Sequence, residues 1–179
     1  ANASLGKREE AKALLADALS AQPDYVPALL ADARVSAATQ DFVAARSKID
    51  ALLAKHPANA EALFLKGNLL SIDGDTTGAL AQYSKAIEAK PNFLPAYSAS
   101  IASLLKSNKP EEATKQLDAL KKIAPKHPQT FFLDAQLSYQ RKDYKAARES
   151  AQQLLRATPN NPNALQIAGA TEYQLRSYL

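Results

Sequence analysis

Residues 60–93, AEALFLKGNLLSIDGDTTGALAQYSKAIEAKPNF, contain two apolar runs separated by a short polar break. Gly67 lies inside the first run, Gly74 and Asp75 form the break, and Pro91 ends the second run. A Gly-Asp pair is typical of a turn, and a proline stops a helix. This stretch therefore predicts two helices joined by a tight turn.

The same pattern recurs along the chain with a period of 34 residues. A series of prolines keeps this step, and a series of alanines keeps it in phase with the prolines. Two in-phase series that cover the whole chain indicate an architecture of stacked repeats. The prolines are Pro23, Pro57, Pro91, Pro125 and Pro159, and the alanines are Ala11, Ala45, Ala79, Ala113 and Ala147.

A 34-residue helix pair with small residues in both helices and a closing proline resembles the tetratricopeptide repeat (TPR) family. The resemblance implies an all-α fold, a right-handed α-solenoid of 34-residue helix-turn-helix repeats, and it covers all 179 residues as one solenoid. With the proline set as position 32, the whole repeats are residues 26–59, 60–93, 94–127 and 128–161, and residues 1–25 and 162–179 are partial repeats.

The small residue that the family places at position 8 matches Ala33, Gly67, Ala135 and Gly169. Ile101 occupies position 8 of the third repeat, and we expect wider helix packing there. Gly6 is expected in a turn that precedes a second helix over residues 9–20. The last partial repeat is expected to hold a first helix and the start of a second, with Tyr178 at the family's aromatic position.

The composition is that of a globular protein, with 46% hydrophobic and 22% charged residues and no cysteine. Disulfides, thiolate nucleophiles and cysteine-ligated metals are therefore excluded. No apolar run is long enough to predict a transmembrane segment. The chain opens Ala-Asn-Ala without an initiator Met, so we expect a fragment of a longer protein, in which a missing signal peptide carries no information.

The net charge of +4 has two interpretations, an anionic partner or a solvated helix face. Lys115, Lys121, Lys122 and Lys126 lie on or just after a second helix, where positive charge suits the helix dipole. That placement favours the solvated face. Nucleic-acid binding is not predicted, because it requires a basic stripe interleaved with aromatic residues.

The sequence contains no catalytic or cofactor motif. His56 and His127 lie in inter-repeat turns without recurring acidic partners, and the five glycines form no phosphate loop. Asp75 is interpreted as a helix-start residue rather than a calcium ligand. We predict that the chain is not an enzyme and holds no metal or cofactor; catalysis would require a further domain outside this sequence.

A stripe of side chains is the stronger functional signal. Positions 2, 5, 9 and 12 of each first helix share one face, because they are spaced three, four and three residues apart. In TPR proteins this stripe lines the concave ligand groove, so the resemblance implies that the groove presents Ser98, Ala102 and Leu105 in the third repeat. The candidate ligand-binding residues are Arg34, Phe64, Asn68, Phe132, Gln136, Tyr139, Gln166 and Tyr173.

The predicted groove is rich in rings and amides and poor in charge, so ligand binding is expected to depend little on salt. Phe64 stands where chaperone-tail-binding TPR domains carry a lysine, which disfavours that ligand class. Packing against the next repeat is an alternative role for Phe64 and Phe132. The last five candidates, on two neighbouring first helices, are expected to form one patch.

The leading functional hypothesis is a non-enzymatic scaffold that binds a partner protein or peptide in the groove. The alternative is a carbohydrate-binding module, because rings and amides also suit sugars. Residues 59–70, 124–139 and 163–178 resemble the long TPR lipoproteins of bacterial PEP-CTERM/exosortase systems, which are linked to exopolysaccharide production. That resemblance implies a periplasmic or envelope location, with the cytoplasm as the alternative. Both end repeats are incomplete, and Leu165 on the last helix lacks a covering helix, so we expect either fraying at both ends or end-to-end self-association.

Overall fold

The computed structural model describes residues 2–177, with side chains described for residues 10–176. Within that range the backbone forms ten α-helices and no strand. The helices are α1 (Asn2–Ala21), α2 (Val26–Ala38), α3 (Phe42–Lys55), α4 (Ala60–Ile72), α5 (Thr76–Ala89), α6 (Leu94–Lys106), α7 (Pro110–Ile123), α8 (Pro128–Gln140), α9 (Tyr144–Ala157) and α10 (Pro162–Ser177). The predicted helix pairs of the four whole repeats are confirmed.

The helices group into two compact units, unit 1 (Ala1–Pro91) and unit 2 (Asn92–Leu179). In unit 1, α2 packs on α3 and α4 packs on α5. In unit 2, α6 packs on α7, and α9 packs on both α8 and α10. The first helices of successive repeats also touch, since α2 contacts α4 in unit 1 and α8 contacts α6 and α10 in unit 2. Each unit therefore presents a row of first helices.

An aspartate N-cap begins three of the second helices. The side chains of Asp41, Asp75 and Asp143 accept hydrogen bonds of 3.0, 2.8 and 3.1 Å from the backbone N–H three residues later. The interpretation of Asp75 as a helix-start residue is confirmed. Lys109 holds the same repeat position without a capping bond, and Pro110 begins α7 instead.

The turn between the two helices of each whole repeat contains one residue in the left-handed region. These residues hold the same repeat position, just before the N-cap, and have φ values of 62°, 84°, 54° and 62°. Glycine and asparagine adopt this conformation readily, whereas other side chains adopt it at a cost of about 1 kcal/mol. In order, the four are Gln40, Gly74, Asn108 and Lys142.

The turn predicted at Gly6 is wrong, because α1 runs without interruption from Asn2 to Ala21. Lys7 stands at the repeat position of the aspartate N-caps and has no acceptor to begin a new helix. A single glycine within a helix costs about 1 kcal/mol without ending it. The described residues contain no preceding helix on which α1 could fold back.

The turn expected before the start of a second helix in the last repeat is also wrong. Helix α10 continues to Ser177, through Arg176 at the left-handed position of the other repeats. The described residues contain no following helix that would pack on α10 and stabilise a turn. Tyr178, the aromatic predicted next, lies outside the described residues.

Position 8 sets how closely the helices of a repeat approach. A Cβ added to Gly67 would lie 2.5 Å from Cε1 of Tyr83, whose side chain is buried across the hairpin. Ile101 at the same position is fully buried, as is Leu117, which holds the repeat position of Tyr83. The wider packing predicted at Ile101 stays a prediction.

Candidate functional site

On α8 the predicted stripe consists of two amide side chains and two aromatic rings. Gln129, Phe132, Gln136 and Tyr139 share one face of this helix, and each is partly buried. The stripe spans about 15 Å, at a rise of 1.5 Å per residue. Two cavities lie along it, one at each end of the helix.

The first cavity lies at the C-terminal end of α8 and has a volume of about 420 Å³. That volume falls in the range of ligand pockets, about 300–1,000 Å³. Helices α6, α8 and α10 all contribute to it, so the cavity joins three successive first helices. The lining residues are Ala102, Leu105, Lys106, Gln136, Tyr139, Gln140 and Ile167. Four of these are stripe residues: Ala102, Leu105, Gln136 and Tyr139.

The second cavity lies at the N-terminal end of α8, with a volume of about 220 Å³. Phe132 lines it together with amide side chains and no charged residue. The lining residues are Pro128, Gln129, Phe132, Leu154, Asn161 and Asn163. The stripe on α8 therefore runs from a cavity lined by one lysine, Lys106, to a cavity lined by no charged residue.

Tyr139 is held by two side chains and still has hydrogen-bonding capacity. Its ring lies edge-on to Tyr144, with centroids 5.5 Å apart and an interplanar angle of 66°. Its hydroxyl oxygen accepts a long hydrogen bond of 3.5 Å from Nε2 of Gln174. Neither the hydroxyl hydrogen of Tyr139 nor the amide of Gln136 has a partner among the described residues, so both are available to a ligand.

Gln166 and Tyr173, on α10, are exposed, Tyr173 with 71% of its surface accessible. Neither residue lines the two cavities on α8. The structure thus brings Gln136 and Tyr139 together and places Phe132 in the second cavity. The single patch of five residues stays a prediction.

The stripe of unit 1 is occupied by its own contacts. Nη2 of Arg34 lies 2.7 Å from Oε2 of Glu61 in an exposed ion pair. The hydroxyl of Tyr83 donates to Oδ1 of Asn68 at 3.0 Å. The ring of Phe64 packs against Tyr83, with centroids 6.0 Å apart. Arg34, Phe64 and Asn68 therefore each have an intramolecular partner. The observed ring contact of Phe64 lies within its own repeat, and the packing against the next repeat that was considered for it stays a prediction.

The two tyrosines with a raised pKa are buried in the helix pairs of their own repeats. Burial raises the pKa of Tyr83 and of Tyr97 above the ordinary value. Both side chains are buried, with 2% and 3% of their surface exposed. Their shifts reflect desolvation in the core and indicate no catalytic role.

Lys106, Gln140 and Ile167 line the first cavity but were not among the residues predicted from the sequence. Lys106 and Gln140 hold position 13 of their repeats, one residue beyond the predicted stripe. Nε2 of Gln140 donates to the carbonyl oxygen of Leu105 at 3.1 Å, which fixes the cavity wall. A stripe widened by one residue at its C-terminal end would have identified both polar residues.

The described residues contain no group of three His, Cys, Asp or Glu side chains placed to hold a metal ion. His127 caps α8, where its Nδ1 accepts from the N–H of Gln129 at 3.1 Å. None of the helices in the described range combines the length and apolar character needed to cross a membrane.

Family profiles identify the repeats independently. A tetratricopeptide repeat profile matches residues 30–92 and 102–162, and a second tetratricopeptide repeat profile matches residues 70–131. These matches span more than half of the chain, so the protein belongs to the TPR family. The predicted all-α TPR fold is confirmed.

Three solved structures illustrate the likeness. A tetratricopeptide repeat protein from Parabacteroides merdae aligns with a TM-score of 0.76 at 16% identity, over 97% of this chain and 69% of its own. The first TPR of Spaghetti (RPAP3), bound to an HSP90 peptide, aligns with a TM-score of 0.60 at 17% identity, over 66% and 94%. YrrB, a TPR protein described as having an unusual peptide-binding site, aligns with a TM-score of 0.66 at 20% identity, over 92% and 84%. At these identities the likeness shows the fold. No curated protein matches the sequence.

Proposed function

We propose that unit 2 is a non-enzymatic scaffold that binds an extended peptide segment of a partner protein along α8. The observation that carries this proposal is the 420 Å³ cavity lined by four of the predicted groove residues. The described peptide complex of one structural neighbour and the peptide-binding site of another support the same ligand class.

The chemistry of the stripe suits a peptide backbone. Rings of Phe132 and Tyr139 supply rigid contact area at low entropic cost, and the Gln136 amide pairs with either a backbone N–H or a carbonyl. A stripe of about 15 Å accommodates about five residues of extended chain. Neither cavity presents a carboxylate or a histidine that would act as a general acid or base, which supports binding without catalysis.

The test is Tyr139→Ala combined with Tyr173→Ala, measured on an array of extended peptides. We expect the double variant to lose at least tenfold in affinity for the peptides that the unchanged protein binds, with helicity and melting temperature nearly retained. Tyr25→Ala is the matched control, because Tyr25 is an exposed tyrosine at the N-cap of α2, outside the stripe. Tyr139→Phe, which keeps the ring against Tyr144, separates the ring from the hydroxyl.

Unfolding of the double variant would show that Tyr139 is required for packing, since Tyr173 is exposed. Unchanged binding in a folded double variant would place the ligand site elsewhere. A glycan array measured in parallel tests the carbohydrate alternative. If the unchanged protein binds a glycan and binds no peptide, the proposed ligand class is overturned.

We also propose a bacterial envelope setting for the parent protein. The support is the resemblance of residues 59–70, 124–139 and 163–178 to PEP-CTERM-system lipoproteins. The first codons of the parent gene test it, since they must encode a lipoprotein signal. A parent protein that begins without any export signal would favour the cytoplasm.

A further inference from the structure

The first cavity of unit 2 is lined by one positively charged residue and by no acidic residue. Lys106 lines it, and none of the other lining residues carries a charge. The ion pairs found among the described residues of unit 2, Lys109–Glu112 and Lys121–Asp134, involve other lysines. Lys106 therefore lines the cavity without an acidic partner among the described residues.

Hydrogen-bond donors converge on the same cavity. The ammonium of Lys106 only donates, and the hydroxyl hydrogen of Tyr139 and the amide of Gln136 have no partner among the described residues. A carboxylate is the protein group that best satisfies such a set, because its two oxygens accept about four hydrogen bonds and compensate the charge.

The charge distribution between the units favours the same ligand. Unit 2 contains 12 Lys and Arg against 7 Asp and Glu, a net charge of +5, whereas unit 1 contains 10 against 11, a net charge of −1. The positive charge of the protein is thus concentrated in the unit that holds both cavities. This field attracts anionic partners towards unit 2.

We propose that the peptide bound by unit 2 carries an internal Asp or Glu whose carboxylate contacts Lys106, Gln136 and Tyr139 in the first cavity. An uncharged residue about five positions away occupies the cavity of Phe132, because the two cavities lie at opposite ends of a stripe of about 15 Å. The inference rests on the proposed peptide-binding function and names the chemistry of its partner. Ligand binding was expected from the sequence to depend little on salt. With one ion pair in the complex, we now expect the affinity to be modestly sensitive to ionic strength.

The experiment compares fluorescein-labelled peptides of about eight residues, the length that covers the stripe with flanking residues. All peptides contain the same leucine residues. Three of them have amidated C-termini and differ only in the central residue, which is Glu, Gln or Lys. A fourth peptide has the central Gln and a free C-terminal carboxylate. In fluorescence anisotropy we expect the Glu peptide to bind about two- to fivefold more tightly than the amidated Gln peptide, the range of a partly exposed ion pair. The preference should shrink between about 50 and 500 mM salt.

Lys106→Glu should reverse the preference, so that the Lys peptide binds better than the Glu peptide. Lys122→Glu is the matched control, because Lys122 is an exposed lysine in the last turn of α7 as Lys106 is in the last turn of α6. Both substitutions change the net charge by the same amount, and both place a negative charge in the last turn of a helix, where the helix dipole disfavours it. A thermal melt of both variants confirms that the fold is retained.

Equal binding of the Glu and amidated Gln peptides, or a preference that survives Lys106→Glu, would overturn this inference and leave peptide binding intact. Tight binding of the Gln peptide with a free C-terminus would overturn the assignment to a side chain. Failure of the unchanged protein to bind any of the peptides would overturn the proposed function as well.

Discussion

The stripe residues of the two units differ in what their polar groups contact. In unit 1, Arg34 pairs with Glu61, and Asn68 accepts from Tyr83. In unit 2, Gln136 and the hydroxyl hydrogen of Tyr139 have no partner among the described residues and line a cavity. The same repeat positions thus stabilise the structure in one unit and are available for recognition in the other. At these positions the intramolecular partners of a side chain determine whether its polar groups are available to a ligand.

Tyr83 is the residue that occupies the stripe of the second whole repeat in unit 1. It projects from α5 over Gly67 and reaches Asn68, and Phe64 packs on its ring. The corresponding residue of α9 is Ala151, which is too small to reach the stripe of α8. One large side chain on a second helix therefore covers the stripe of its own repeat.

The largest effect is expected for Gly67→Leu. The new side chain would collide with the Tyr83 ring, since even a Cβ would lie 2.5 Å from Cε1. We expect a loss of roughly 1–3 kcal/mol in the free energy of unfolding, measured by urea denaturation. Ala79→Leu, at a fully buried position of α5, should cost a similar amount.

Gly169→Ala is the matched control for the Gly67 substitution. Gly169 holds the same repeat position in α10, and a Cβ there would meet no atom within 4 Å. We expect this change to stabilise the protein by about 0.5–1 kcal/mol, because alanine restricts the unfolded chain more than glycine does. A large loss at Gly169, or none at Gly67, would contradict the assignment of close helix approach to the Tyr83 hairpin.

An intermediate effect is expected for Tyr83→Phe, which removes the hydrogen bond to Asn68. The expected loss at neutral pH is about 1 kcal/mol, the net contribution of such a bond. Burial also raises the pKa of Tyr83 in the folded protein, so its contribution is complete below the unfolded value of about 10 and is lost as the pH rises through the folded value.

Urea midpoints measured from neutral pH to about pH 11 test this linkage. The stability of the unchanged protein should fall more steeply above about pH 10 than that of Tyr83→Phe, so the two curves converge. Tyr97, whose pKa is also raised, is present in both proteins and cancels in the comparison. Parallel curves would show that Tyr83 ionises as it does in the unfolded chain.

The smallest effect is expected for Arg34→Ala. The side chains of Arg34 and Glu61 are 51% and 38% exposed, and an ion pair of that kind contributes less than about 1 kcal/mol. Thermal melts should change little, and peptide affinity measured by anisotropy should stay the same. A loss of affinity as large as that of the Tyr139→Ala, Tyr173→Ala variant would place the ligand on unit 1.

The sequence by itself determined the repeat period, the helix pairs and the stripe. These features follow from local chemistry, because aspartate caps, turn residues such as Gly74 and prolines at a 34-residue step act within a few residues of themselves. The same reasoning failed at Gly6, where a turn needs a neighbouring helix to pack against.

Only the tertiary structure decided which stripe residues are available to a ligand. Arg34 and Glu61 are 27 residues apart, and Tyr83 and Asn68 are 15 apart on different helices. The first cavity joins residues from three successive repeats, and it includes Lys106, which the stripe omitted. Pairing and cavity volume depend on the sizes of side chains that face each other across helices, such as Gly67 and Tyr83, and the period of a sequence does not encode those distances.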